Sequence, residues 1–496
     1  MDALLRITGS DNVAVALRPL VKGESLDLDS IHLLLQTDVP AGHKVALEDI
    51  PKDGHVIKYG FPIGYAKEDI PKGSHIHVHN LHTLLSGELT YTYQPTHPEV
   101  RKQTSRTFMG FPRKNGQVGI RNELWIVPTV GCVNDIARAL EKEAQSLLVE
   151  GVERVYAFTH PYGCSQMTED QENTRQILAD LATHPNAGGV LLLGLGCENS
   201  GIEQIKAHMD WYDPERMRFL ICQQVEDEME AGMQYLRELS DFMRKDRREP
   251  CDVSKLVVGL KCGGSDGFSG ITANPTIGGF SDRLVAQGGT TILTEVPEMF
   301  GAETILMNRC KDEATFEKTV RLINDFKHYF ESYHQTIYEN PSPGNKAGGI
   351  STLEDKALGC TQKSGFSPVN DVLEYGEKVK TPGLNLLSAP GNDLVAATAL
   401  ASSGAHLVLF STGRGTPFAC PVPTLKISSN SALAAKKYQW IDFNAGRLLD
   451  EKQPMTLDQL SDELFDLVIE VASGKTVHSE DHGFHDLAIF KTGVTL

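Results

Sequence analysis

Short apolar runs stopped by glycine recur through most of this chain. Residues 124–129, 155–159, 189–195, 218–222, 256–260 and 291–294 read as buried strands, while 133–145, 173–183 and 202–209 repeat their apolar positions at a helical period. Alternation of this kind predicts βαβ units and an α/β fold, Rossmann-like, with a mostly parallel, doubly wound sheet. Residues 386–392 and 407–416 repeat the strand-then-glycine pattern, 315–380 are more helical and charged, and an amphipathic helix follows Met455.

The first 80 residues have another rhythm. ALRPLVKGESL (16–26), ALEDIPKDGHVI (46–57) and AKEDIPKGSHIH (66–77) share one frame, an apolar position, then Lys, then a glycine turn and a β-like alternation. Short strands punctuated by turns predict a small all-β domain over 1–80. Residues 81–105 lose periodicity and read as an extended linker, followed by a first α/β part over 106–250 and a second over 251–496.

Composition narrows the class. A chain of 496 residues with 40% hydrophobic and 23% charged residues is ordinary globular protein, too long for one core. Its 47 Lys+Arg against 65 Asp+Glu give a net charge of −18, which argues against nucleic-acid or anionic-membrane partners. The longest apolar run, near 190–196, is far too short to span a bilayer, and MDALLRITGSDN has no signal-peptide pattern. Nine cysteines in such a chain suit reduced thiols and predict a cytoplasmic protein. No G-x-G-x-x-G or Walker A motif follows the first strand, so a dinucleotide or ATP role has no support.

The candidate chemistry gathers at the ends of the predicted strands. VVGLKCGGSDGFSG (257–270) turns from a strand into a loop of small residues, whose free N–H groups let a ligand approach; Ser265 and Asp266 are candidates to line its pocket. LWIVPTVGC, VYAFTHPYGC and GVLLLGLGC end the same way at Cys132, Cys164 and Cys197. Each thiol alone reads as a small buried hydrophobe, but with Cys262 four of them at equivalent strand ends predict a shared metal or redox role along one edge of one sheet. His75, His77 and His79 alternate with apolar residues, so on a strand they share one face; a His75–His77 pair can chelate one metal, with His43 or His32 as a third ligand, or serve as acid and base. The Pro/Gly-rich loop 340–349 presents Lys346, and Arg414 in LVLFSTGRGT is placed to grip a carboxylate.

Several long strings, NGQVGIRNELWIVPTVGC, HPYGCSQ, GLGCEN, CGGSDGFSGITANP, LTEVPEMFGAE, YENPSPGNKAGG and FSTGRGTP, resemble the altronate dehydratase family, whose relatives include galactarate dehydratase; the N-terminal frame resembles the SAF, or β-clip, domain. The resemblance implies an iron-dependent hydro-lyase that turns a 2,3-dihydroxy sugar acid into a 2-keto-3-deoxy acid, with D-altronate going to 2-dehydro-3-deoxy-D-gluconate. An aldarate such as galactarate is the alternative substrate and calls for a second basic anchor, for which Arg121 and Lys363 are candidates; a non-catalytic sugar-acid binder is the alternative class. The cofactor is Fe2+ or an iron–sulfur cluster, with Mn2+ as an alternative. It is expected on Cys132, Cys164, Cys197 and Cys262, three of them holding a cluster, or as a mononuclear ion on His75 and His77. In either case Lys346 and Arg414 hold the substrate, His75, His77 and Lys346 are the candidate catalytic groups, and Glu295 and Glu298 are oxygen ligands or acid/base groups. A homodimer is the default assembly.

Overall fold

The computed structural model describes residues 3–100, 103–450, 452 and 455–496; residues 1–2 of the predicted N-terminal domain and 101–102 within the predicted linker lie outside them. The N-terminal domain is all β, as predicted. Leu4–Leu5, Val13–Ala16, Lys44–Ala46 and His75–Ile76 form one antiparallel sheet, His55–Lys58, Phe61–Ala66 and Leu81–His82 another, and Ser25–Leu28 pairs with Ile31–Leu34. The repeated frame is a tight turn used four times, not three. The N–H groups of Glu24, His43, Gly54 and Ser74 donate to the carbonyls of Val21, Pro40, Pro51 and Pro71 at 3.1, 3.2, 2.9 and 3.1 Å. The residue before each donor, Gly23, Gly42, Asp53 or Gly73, has a positive φ, as position i+2 of a type II turn requires. Two repeats lock reciprocally, the Lys52 N–H on Asp69 and the Lys72 N–H on Asp49, both at 2.8 Å.

The rest of the chain holds two parallel sheets where one was predicted. In the smaller, the strands lie in the order Val155–Ala157, Glu123–Pro128, Ala187–Gly194, Met217–Ile221. The larger has seven strands, in the order Val369–Leu373, Gly383–Leu387, Thr290–Leu293, Val257–Cys262, Leu407–Thr412, Thr424–Ser428, Phe443–Asn444. Helices cover both faces of the larger sheet. On one face Ala273–Ala286 and Leu457–Ala472 bury Phe280, Leu284, Leu464 and Val468. On the other, Ala396, Leu400 and Phe410 share a core with Trp125, Val127 and Leu192 of the smaller sheet, so the two α/β parts are fused through apolar burial. An antiparallel ribbon of Val118–Gly119, Thr107–Pro112 and Glu249–Asp252 stitches them further.

Described residues of the predicted linker are extended but not free. The carboxylate of Glu354 accepts from Thr83 and the Leu84 N–H, the Tyr91 hydroxyl donates to Glu303, and the Tyr93 hydroxyl to the Cys310 carbonyl, at 2.8, 2.6, 2.6 and 2.6 Å. The segment is a strap pinned along the larger α/β part. It carries the β domain onto the carboxyl edge of the seven-stranded sheet, where ligands bind in open α/β folds.

Candidate active site

At that edge the glycine-rich stretch 263–267 meets the loop 340–351, and the β domain closes over both. The approach is backbone on backbone. A Cβ on Gly267 or Gly349 would fall inside the Gly42 carbonyl, and Gly349 also has φ +104°. Behind the contact, Lys44 Nζ donates to the Gly349 carbonyl at 2.7 Å and to Asp355 at 2.8 Å, while Lys58 Nζ reaches the other oxygen of Asp355 at 2.9 Å. All three side chains are buried. Burial would raise the Asp355 carboxyl, but the two ammonium groups outweigh it and hold it well below the usual range; Lys44 is brought down to about 8 by burial despite Asp355.

Above this triad sit three imidazoles. The turn ending at His43 and the equivalent turn before His75 put these residues on neighbouring strands, with Val45 opposite His75. His43 Nδ1 lies 3.0 Å from His75 Nε2, and one ring nitrogen each from His43, His75 and His77 fall within 4.8 Å of one another. The predicted strand through His79 stops at Ile76, because the Asn80 side chain captures the His77 N–H at 3.0 Å and turns the chain. His79 is exposed, and its place is taken by His43; His32 is not grouped with them but lies on an exposed hairpin beside Asp27. Burial, then mutual repulsion, lowers His75 to about 3, and burial lowers His77 to about 4. Both are neutral near pH 7, the form that binds metal. The other nitrogens are oriented, His77 Nδ1 against Ser351 Oγ at 3.0 Å and His43 Nε2 against the Ala347 carbonyl at 3.4 Å. Three neutral nitrogen donors at this spacing fit a divalent transition metal.

Ala347 ends the short helix Pro343–Ala347, which Ser342 caps, and Lys346 stands half-buried on it. Arg414 lies against Gly344 of the same helix and is exposed. Neither cation has an ion-pair partner among the described residues. The helix that carries Lys346 thus packs against Arg414 at Gly344 and against His43 at the Ala347 carbonyl. Asn345 ties this helix to the glycine loop through the Ser265 carbonyl at 2.8 Å. The Ser265 hydroxyl is buried without a partner. Asp266 is buried and faces inward, accepting from Ser269, Ser429 and Asn430 at 2.9, 2.8 and 3.0 Å, so it shapes the loop.

The thiols divide. Cys132, Cys164 and Cys197 are exposed, on three loops at the carboxyl edge of the smaller sheet. Those loops are knit together, the Gly131 N–H on the Tyr162 carbonyl at 2.9 Å, the Ser200 N–H on Gly163 at 3.0 Å and Thr129 on Glu198 at 2.6 Å. Cys262 does not join them. Its strand belongs to the seven-stranded sheet, and its buried sulfur lies 3.4 Å from Cys360 and 3.2 Å from Glu298. Four thiols along one sheet edge are thus three, because the chain builds two sheets.

Glu295 and Glu298 are buried lysine partners. Glu295 takes Lys261 and, at 3.1 Å, Lys363, and Glu298 takes Lys356 at 2.7 Å. With Asp393 on Lys261 at 2.8 Å, this network balances its charge without an added cation. Arg121 is likewise spent, bidentate on Glu480 at 2.7 and 2.8 Å. Asp355, Lys44 and Lys58 were invisible to sequence reasoning, since a lone Asp in a helical segment carries no motif; the fourth turn, PAG at 40–42, was a legible signal for His43.

Comparison with known proteins matches three family domains along the chain. Residues 2–84 match the altronate/galactarate dehydratase SAF domain, 110–244 the D-galactarate dehydratase/altronate hydrolase second domain, and 253–495 the D-galactarate/altronate dehydratase C-terminal domain. The chain is 56% identical to an altronate dehydratase of Escherichia coli K12 over 99% of both chains, and 54% identical to an altronate dehydratase of Bacillus subtilis 168 over the full length of both. A galactarate dehydratase (L-threo-forming) of Escherichia coli K12 is 33% identical over 98% of this chain and 96% of its own. With all three domains matched in order and full-length relatives above half identity, this chain belongs to the D-galactarate/altronate dehydratase family.

Proposed function

We propose that the protein is a hydro-lyase that converts D-altronate to 2-dehydro-3-deoxy-D-gluconate and water. The observation that carries the choice of substrate is that two cations without an ion-pair partner among the described residues, Lys346 and Arg414, lie on the helix 343–347 and on the loop packed against it. Together they suit one carboxylate, gripped by the guanidinium fork and by the ammonium. An aldarate has a second carboxylate, and the two other candidate anchors, Arg121 and Lys363, are buried in ion pairs with Glu480 and Glu295. The full-length relatives above 50% identity are altronate dehydratases, which agrees.

Loss of water begins with the proton on C2, beside the carboxylate, and ends with departure of the C3 hydroxyl. Arg414 and Lys346 hold the carboxylate and offset the charge that grows on it as C2 is deprotonated. The close backbone contact of Gly42 with Gly267 and Gly349 seals the floor of the site from water. The residues that would hold a metal are His43, His75 and His77, for Fe2+ or Mn2+. Bound there, such an ion would supply Lewis-acid polarisation of substrate oxygens.

A second reading of the cofactor rests on the three exposed thiols. Cys132, Cys164 and Cys197 on interlocked loops suit an iron–sulfur cluster with three protein ligands. Anaerobic metal and acid-labile sulfide analysis, run with keto-acid release from D-altronate and from galactarate, tests all of this. Iron without sulfide, abolished by His75→Ala, supports the histidine site; sulfide abolished by Cys164→Ser supports the cluster. Keto acid from galactarate but not D-altronate overturns the substrate assignment.

A further inference from the structure

Beneath the site, Cys262 and Cys360 form a buried pair that the proposed reaction leaves unused. Their sulfurs lie 3.4 Å apart, in contact, one at the end of the central strand Val257–Cys262 and the other at the end of the helix Leu353–Cys360. One oxygen of Glu298 touches both, at 3.2 and 3.1 Å. Lys261, Lys356 and Lys363 stand around them, each paired with Glu295, Glu298 or Asp393, and the contact with Cys262, then burial, raises the Cys360 thiol, so the pair rests protonated and in contact. A cavity of about 10 Å³, lined in part by Cys360, Lys356 and Ser265, lies alongside. That is room for a molecule about the size of water.

We infer that Cys262 and Cys360 are a peroxide-oxidisable dithiol that closes to a disulfide and switches the enzyme off reversibly. One thiol gives its proton to the Glu298 carboxylate and attacks hydrogen peroxide; the O–O bond breaks, an S–O bond forms and the displaced hydroxide takes up the proton as water. The second thiol then attacks the sulfenic sulfur, the S–O bond breaks, a second water leaves and the S–S bond forms. Two thiols lose two electrons in all, and one peroxide becomes two waters.

The switch runs through Glu298. Its other oxygen holds Lys356, which also reaches Asn340 and Asn345 at 3.0 and 3.3 Å on the loop that presents Lys346. Closing the disulfide withdraws both sulfurs from Glu298 and disturbs that support.

The test is peptide mapping of the full-length wild-type protein, anaerobic and then treated with hydrogen peroxide, before and after dithiothreitol. The expected result is one linked peptide pair joining Cys262 to Cys360, loss of two of the nine thiols, and at least a tenfold fall in turnover that dithiothreitol restores. Cys360→Ala should show neither the link nor the part of the loss that dithiothreitol reverses. Links confined to Cys132, Cys164 and Cys197, sulfinic acid at Cys262 without a link, or a Cys262–Cys360 link that leaves turnover intact would each overturn the inference. The link and the thiol count need no substrate, so they stand or fall apart from the assignment to D-altronate.

Discussion

Single side chains at this site separate into those proposed to hold substrate and those that hold the domains together, and mutation should separate them too. Arg414 is exposed and pairs with nothing among the described residues, so its removal should leave the fold intact. Arg414→Ala should raise KM for D-altronate by about 10- to 100-fold, the effect of losing one charge-assisted contact of about 1.5–3 kcal/mol; steady-state kinetics checks it. Arg414→Lys should recover little, because an ammonium cannot reproduce the fork. Asp355 is the opposite case. Asp355→Asn leaves Lys44 and Lys58 buried without their anion, a loss of about 3–5 kcal/mol in urea unfolding. Lys346 and Arg414 could be singled out because glycine and proline around a lone cation mark a presented group. Asp355, Glu298 and Cys360 were not, since their meaning lies in partners contributed by distant segments.

At the scale of elements, the type II turn explains most of what was read and what was missed. Periodicity revealed three uses of the frame, but the fourth, at 40–43, has Ala where the others have Lys, and it delivers His43. The strand assigned through His79 failed for a local reason, the Asn80 side chain competing for the His77 backbone. The glycines that admit the β domain yield the sharpest prediction here. Gly349→Ala puts a Cβ into the Gly42 carbonyl at φ +104°. It should cut turnover at least tenfold while circular dichroism stays unchanged, because the β domain is displaced and not unfolded. Gly9→Ala, whose Cβ meets open space, is the control and should be silent.

Across the whole molecule, apolar alternation predicted the α/β class and the all-β domain but not the number of sheets, because strand order is set by packing between segments far apart in sequence. The buried titratable groups set a whole-molecule property as well. Burial brings His160 and His406 to about 4 and His184 well below its usual value, alongside His75 and His77. In the unfolded chain these imidazoles titrate near 6.5. As pH falls from about 6.5 to 4, the unfolded state takes up protons the folded state refuses, so their stabilisation is full above 6.5 and lost on the way down. Glu123 and Asp180, raised by burial to about 7 and about 6, and His478 and His485, raised by acidic neighbours, oppose part of this. The urea midpoint should fall between pH 7 and pH 5, and a rise would show that the opposing groups dominate.

The pinned strap has a kinetic meaning. Because it tethers the histidine-bearing domain to the body that carries Lys346 and Arg414, assembly of the site is a unimolecular event governed by effective concentration, not by encounter. Two separate chains would find each other less often as they were diluted, whereas here the tether keeps the local concentration of one half around the other constant. The fraction of chains with a complete site is therefore set at folding, and no later fall in protein concentration can separate the halves.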